Sequence, residues 1–95
     1  MKSLSQLKRD IKVGTVIKTV INNIKPEKNG QVRKVAKVQT NAIVFEDLMY
    51  DSKLSWLWWG KASDYEYEEN TFKVFHNDLR TNEKVLDLVY EIISY

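Results

Sequence analysis

The stretch from Val13 to Gln39, VGTVIKTVINNIKPEKNGQVRKVAKVQ, decides how the rest of the chain is read. Its first half is dense in Val, Ile and Thr, which suit a pleated, half-buried surface. Pro26 cannot donate to a β-ladder, and Asn29-Gly30 supplies the left-handed backbone that a tight turn needs. The chain then returns as QVRKVAKVQ. The stretch therefore reads as a β-hairpin. On strict alternation Val32, Lys34, Ala36 and Val38 share one face of the returning strand, while Arg33, Val35, Lys37 and Gln39 take the other.

Toward the N-terminus, Ser3 is a helix N-cap candidate, and Leu4 and Leu7 fall on one side of one or two turns that run to Arg9. Gly14 breaks any longer helix. Toward the C-terminus, Thr40-Asn41 is a turn and AIVFEDLMY (42–50) a third strand. Asp51-Ser52-Lys53 turns the chain into LSWLWW (54–59), which ends near Gly60. DYEYEE (64–69) alternates, with Tyr65 and Tyr67 on one face and Asp64, Glu66 and Glu68 on the other. Glu69-Asn70 turns it into TFKVFH (71–76). The last segment, KVLDLVYEIIS (84–94), fits two patterns. As a strand, Leu86, Leu88, Tyr90 and Ile92 form an apolar face. As a helix, Lys84, Asp87, Glu91 and Ser94 gather on one side, with Thr81 or Asn82 as a cap. Length favours the helix; the Val, Ile and Tyr content and the turn-like HNDLRTNE (76–83) favour the strand.

Short strands at this spacing predict a single, mainly β domain over residues 1–95. The expected form is a small SH3-like or related barrel, or a bent antiparallel sheet, with a short N-terminal helix.

Much chemistry is missing. The chain has no cysteine, which removes disulfides, thiolate nucleophiles and Cys-type zinc sites. His76 is its single histidine, and beside Asn77-Asp78 it reads as a solvated loop residue. No GxSxG elbow, GxGxxG or GxxxxGK[ST] loop occurs. The carboxylates of DYEYEE read as the wet face of a strand. The expectation is a non-enzymatic protein with no cofactor and no metal. No apolar run approaches the ~20 residues that span a bilayer, and MKSLSQLKRDIK lacks the apolar region of a signal peptide. A cytoplasmic protein without a membrane partner is expected.

Two features point to binding. Residues 1–37 carry ten Lys and Arg against Asp10 and Glu27, whereas residues 38–95 carry five against eleven acidic residues. Such segregation creates a basic face for a polyanion, or a basic strand pair that an acidic one neutralises. Lys18, Arg33, Lys34 and Lys37 are the candidate patch, with Lys25 and Lys28 at its turn. The second feature is aromatic. Trp56 and Trp58 extend the stripe begun by Leu54 and are expected in the core. Trp59 points the other way, with Ser55 and Lys61, and is the expected displayed ring; the alternative is that it covers the end of the barrel against the N-terminal turn. Tyr50, Tyr65, Tyr67, Phe72 and Phe75 complete the group.

VGTVIKTVINNIKPEKNGQVRKVAKVQTNAIVF (13–45) and SWLWWGKASDYEYEENTFKVF (55–75) resemble small β-rich proteins of phages and mobile elements of low-GC Gram-positive bacteria. The first segment is also similar to the opening of SH3-like barrels. The resemblance implies no catalytic residues. It implies a setting in which small proteins block or redirect host machinery. The expected function is binding to nucleic acid through Lys18, Arg33, Lys34, Lys37, Trp59 and Lys61. The alternative is inhibition of a host or defence protein through aromatic anchors, and below it stands sequestration of a nucleotide.

Overall fold

A computed structural model describes residues 2–48 and 54–95. The expected turn at Asp51-Ser52-Lys53, and Tyr50 with it, lie outside the described residues. A short helix, α1 (Leu4–Asp10), precedes seven strands: β1 (Val16–Asn22), β2 (Val32–Val38), β3 (Ala42–Asp47), β4 (Leu54–Trp58), β5 (Tyr65–Glu68), β6 (Thr71–Asp78) and β7 (Glu83–Ser94). Ser3 caps the helix as expected, its hydroxyl accepting from the Gln6 N–H at 3.2 Å. Leu4 and Leu7 are both buried.

All seven strands join one antiparallel sheet in the order β4-β3-β2-β1-β7-β6-β5. Two meanders, β1 to β4 and β5 to β7, meet where β1 pairs with β7. The last segment is thus a strand. Its position between β1 and β6 decides this, because both of its edges find ladder partners. The turn before it is also later than expected. β6 continues through Asp78, so His76 sits in a strand rather than in a loop, with Nδ1 2.7 Å from Asp87 Oδ1.

The sheet is strongly bent. Laid flat, seven strands at ~4.8 Å spacing put β4 and β5 about 29 Å apart. The link from Trp58 to Tyr65 spans at most about 25 Å even when fully extended, and part of it is a 3₁₀ turn, Ala62–Asp64. The edges must curl toward each other. Register shifts in β1, between Val35 and Lys37 in β2, and between Val74 and Phe75 in β6 supply the bend. The sheet does not close into a barrel: β4 and β5 remain its edges. The two edges meet through the Tyr65 side chain: the Trp59 and Tyr65 rings lie 5.7 Å apart and the Tyr65 hydroxyl donates to the Trp58 carbonyl at 3.4 Å.

The inner face holds the core. Ile17, Val35, Ile43, Phe45, Tyr65, Tyr67, Phe72, Leu88, Tyr90 and Ile92 cluster there with Leu4, Leu7 and Ile11, so α1 plugs one end of the curl. The Tyr67 hydroxyl bonds both Asp10 and Tyr95. Where β1 turns toward β2, Gly30 takes φ 83°, the left-handed geometry expected of Asn29-Gly30.

Candidate functional site

Strand β4 alternates as its sequence demands, but its faces are reversed from expectation. Leu54, Trp56 and Trp58 lie on the outer face; Ser55 and Leu57 lie on the inner one. Trp56 is 49% exposed and Trp58 66%. Trp59, expected on display, is half-buried and packs against the core. Its N–H donates to the Asn41 carbonyl at 2.8 Å, and the Lys8 ammonium of α1 stands 5.7 Å from its ring. It covers the end of the curled sheet against the helix. The reversal has a physical reason. Ala42, Ile43, Val44 and Phe45 of β3 are buried on both faces, so apolar character beside β4 does not say which side is inside. The inner positions of an edge strand here need Ser55, which binds a buried arginine, and Leu57, which abuts the core.

That arginine is Arg33, the second correction. It is 6% exposed and belongs to the inner face, not to a surface patch. Its guanidinium lies 4.4 Å from the Phe45 ring centre. Nη1 donates to Ser55 Oγ at 2.7 Å, and Nη2 to Thr19 Oγ1 at 3.3 Å and the Tyr90 hydroxyl at 3.4 Å. Alternation requires it to oppose Lys34, so the two cannot share a patch.

The remaining lysines do assemble. Lys34 pairs with Glu46 of β3, and Lys37 with Val44. Val44 pairs in turn with Trp56, and Ala42 with Trp58. Lys18 lies opposite Val32 on β1, and Val16 opposite Lys34. Lys18, Lys34, Lys37, Trp56 and Trp58 therefore occupy one outer face. Strict alternation had put Lys37 on the other side with Arg33; the β2 bulge turns it over. Lys37, Val44 and Trp56 form one row across three strands, with the lysine about 10 Å from the tryptophan at ordinary strand spacing. Glu46, half-buried between Lys34 and Leu54, is the one carboxylate among the outer-face pairs of β2, β3 and β4; Asp47 is paired with Arg33 on the inner face. Lys61 is exposed but stands apart, in the link between β4 and β5 where its carbonyl accepts from the Asp64 N–H at 3.0 Å.

The acidic strand β5 does not neutralise this face by adjacency, since β7 and β6 separate it from β1; of β7, Glu91 lies opposite Lys18 in the register. Two neighbouring exposed indoles beside lysines offer flat π surfaces for stacking and point charges for phosphates. In the sequence Leu54, Trp56 and Trp58 look like a core stripe, which masks the display of Trp56. The signal that separates them is the second stripe, Ser55-Leu57-Trp59, which ends against α1.

Among the described residues no group of three or more His, Cys, Asp or Glu could hold a metal ion. No described helix is long and apolar enough to cross a membrane. Compared with known proteins, the chain matches no family model, no curated protein and no solved structure.

Proposed function

We propose that this chain is a non-enzymatic binding module that holds single-stranded nucleic acid on its outer face. The observation that carries the reading is the exposure of Trp56 and Trp58 on the same face as Lys18, Lys34 and Lys37. Tryptophans left in water beside cations suit a partner that is both planar and anionic. Bases stack on the rings, and phosphates meet the ammonium groups. Lysine, a mobile point charge, contacts backbone phosphates without reading base edges, so little sequence preference is expected. The test is an anisotropy titration with a labelled oligothymidylate. Saturable binding that weakens with salt supports the reading. No binding at low salt overturns it.

A protein partner is the second reading. Leu54 continues the Trp56-Trp58 stripe along β4, an edge strand, and an apolar edge of this kind suits an added strand from another chain. Capture from nuclease-treated lysate that ignores salt and disappears in Trp56→Ala would favour it.

A further inference from the structure

We infer that the mouth of the inner face is a second binding site, made for a small phosphomonoester. A cavity of about 210 Å³ opens there; Asn22, Lys25, Lys28, Arg33, Ser55 and Tyr90 are among its lining, and Trp56 borders it from the outer face. Three of these side chains are cations, and among the described residues none of the lining is acidic. Arg33 forms the floor. Its charge is almost wholly withdrawn from water, which is costly unless an anion or a dense set of acceptors meets it. Thr19, Ser55 and Tyr90 are neutral hydroxyls and take three of its five donors. Asp47 stands opposite Arg33 in the β2–β3 register, and its carboxylate accepts from Gln31 Nε2 outside the lining.

The rim is held in place. Asn22 Oδ1 accepts from the backbone N–H groups of Ile24 and Lys25 at 3.0 and 2.8 Å, and the Asn22 N–H donates to Asn29 Oδ1 at 2.7 Å. These bonds set Lys25 and Lys28 at either end of a short 3₁₀ turn, Pro26–Lys28, above the arginine. A phosphomonoester is close to a dianion at neutral pH. It matches the guanidinium charge and its remaining N–H donors from below and two ammonium groups from above. Ser55 and Asn22 offer polar contacts to a small substituent, and the Tyr90 ring offers it a wall. The cavity is smaller than the ~300 Å³ at which drug-sized sites begin, so it suits a phosphate with one sugar rather than a whole dinucleotide. The same phosphate chemistry occurs at the end of a nucleic-acid strand.

The experiment is a set of titrations at constant ionic strength, followed by amide chemical shifts. Ribose 5-phosphate should move the resonances of Asn22, Gly30 and Ser55, and ribose should not. The rim variant Lys25→Ala/Lys28→Ala should weaken binding by about tenfold or more, since bonds to charged groups are lost. Arg33→Lys should weaken it by keeping the charge and losing the guanidinium N–H donors, but it also disturbs the core; the rim variant, whose lysines carry no core packing, decides. Trp58→Ala, at a ring outside the cavity lining, should leave it unchanged, which separates this site from the outer face. Comparing 5′-phosphorylated with 5′-hydroxyl oligothymidylate assigns the phosphate to a strand end or to a free ester. Equal shifts with ribose and ribose 5-phosphate, or full affinity in the rim variant, overturn the proposal.

Discussion

The Tyr67 hydroxyl donates to Asp10 Oδ2 across 2.6 Å, and this bond fastens β5 to the last residue of α1. A carboxylate at a helix C-terminus is normally disfavoured by the helix dipole. Here the Tyr67 bond, then the Gln6 amide at 2.8 Å, hold the Asp10 carboxyl below its ordinary value of 3.8. A lowered pKa in the folded state means stability that is present above 3.8 and lost as pH falls through the folded value. Acid unfolding should therefore steepen below pH 3.8. Tyr67→Phe should flatten that limb, as read by circular dichroism across an acid series. Superimposable acid limbs would exclude this bond as the source.

At the alkaline end the sign reverses. Burial pushes the Tyr65 hydroxyl up from 10.0 to about 12, and burial also raises Tyr90. Tyr65 favours the folded state fully below pH 10 and loses that contribution as pH rises through about 12; Tyr90 acts in the same direction. Stability should begin to fall near pH 10, and Tyr65→Phe should delay the fall. An unchanged alkaline midpoint in that variant would remove Tyr65 from the account.

The three tryptophans should separate by what their loss damages. Trp59→Ala removes a ring packed on the core and should cost about 2 kcal/mol or more of stability, somewhat below the range for a fully buried aromatic. Trp56→Ala and Trp58→Ala remove rings that face water and should cost less than about 1 kcal/mol. Each should weaken oligothymidylate binding by about tenfold, the scale of one lost stacking contact. Denaturant melts and titrations on the same three proteins check both halves. The reverse pattern, with Trp59 alone needed for binding, would place the site at the helix end.

Three lysines on the outer face fix an expected salt response. With Lys18, Lys34 and Lys37 each meeting one phosphate of a single strand, affinity should drop about 20-fold between about 50 and 200 mM salt. Lys37→Glu should lower the slope and the affinity more than Lys61→Glu, which lies in the separate β4–β5 link. Equal effects from the two charge reversals would mean that only net charge matters.

The sequence made the elements legible and left their faces open. Ser3, Asn29-Gly30 and the Tyr65-Tyr67 alternation act through local backbone preferences, and each appears where those preferences put it. Three other features depend on partners far along the chain. β7 is a strand because β1 and β6 flank it. Lys37 joins Lys34 because an extra residue in β2 breaks the two-residue period. Trp56 faces out because Leu57 and Trp59 are the residues the curled inner face and α1 cover. Hydrophobicity ranks these side chains almost equally, so composition alone cannot choose between the two stripes.

The pairing of β1 with β7 carries a kinetic consequence. Each meander closes through short connections between neighbours, whereas the seam between them must close a loop containing most of the chain. Closure of that size is entropically slow, and long-range pairing delays folding. In φ-value measurements Val35→Ala, within the first meander, should register in the rate-limiting step, while Ile17→Val and Ile92→Val, facing each other across the seam, should give values near zero. Similar values at all three positions would contradict that order. Arg33 and Ser55 come from one side of the seam and Tyr90 from the other. The mouth they line is then the last part of the molecule to exist, and a ligand seated there would act as a clasp on a join that forms late.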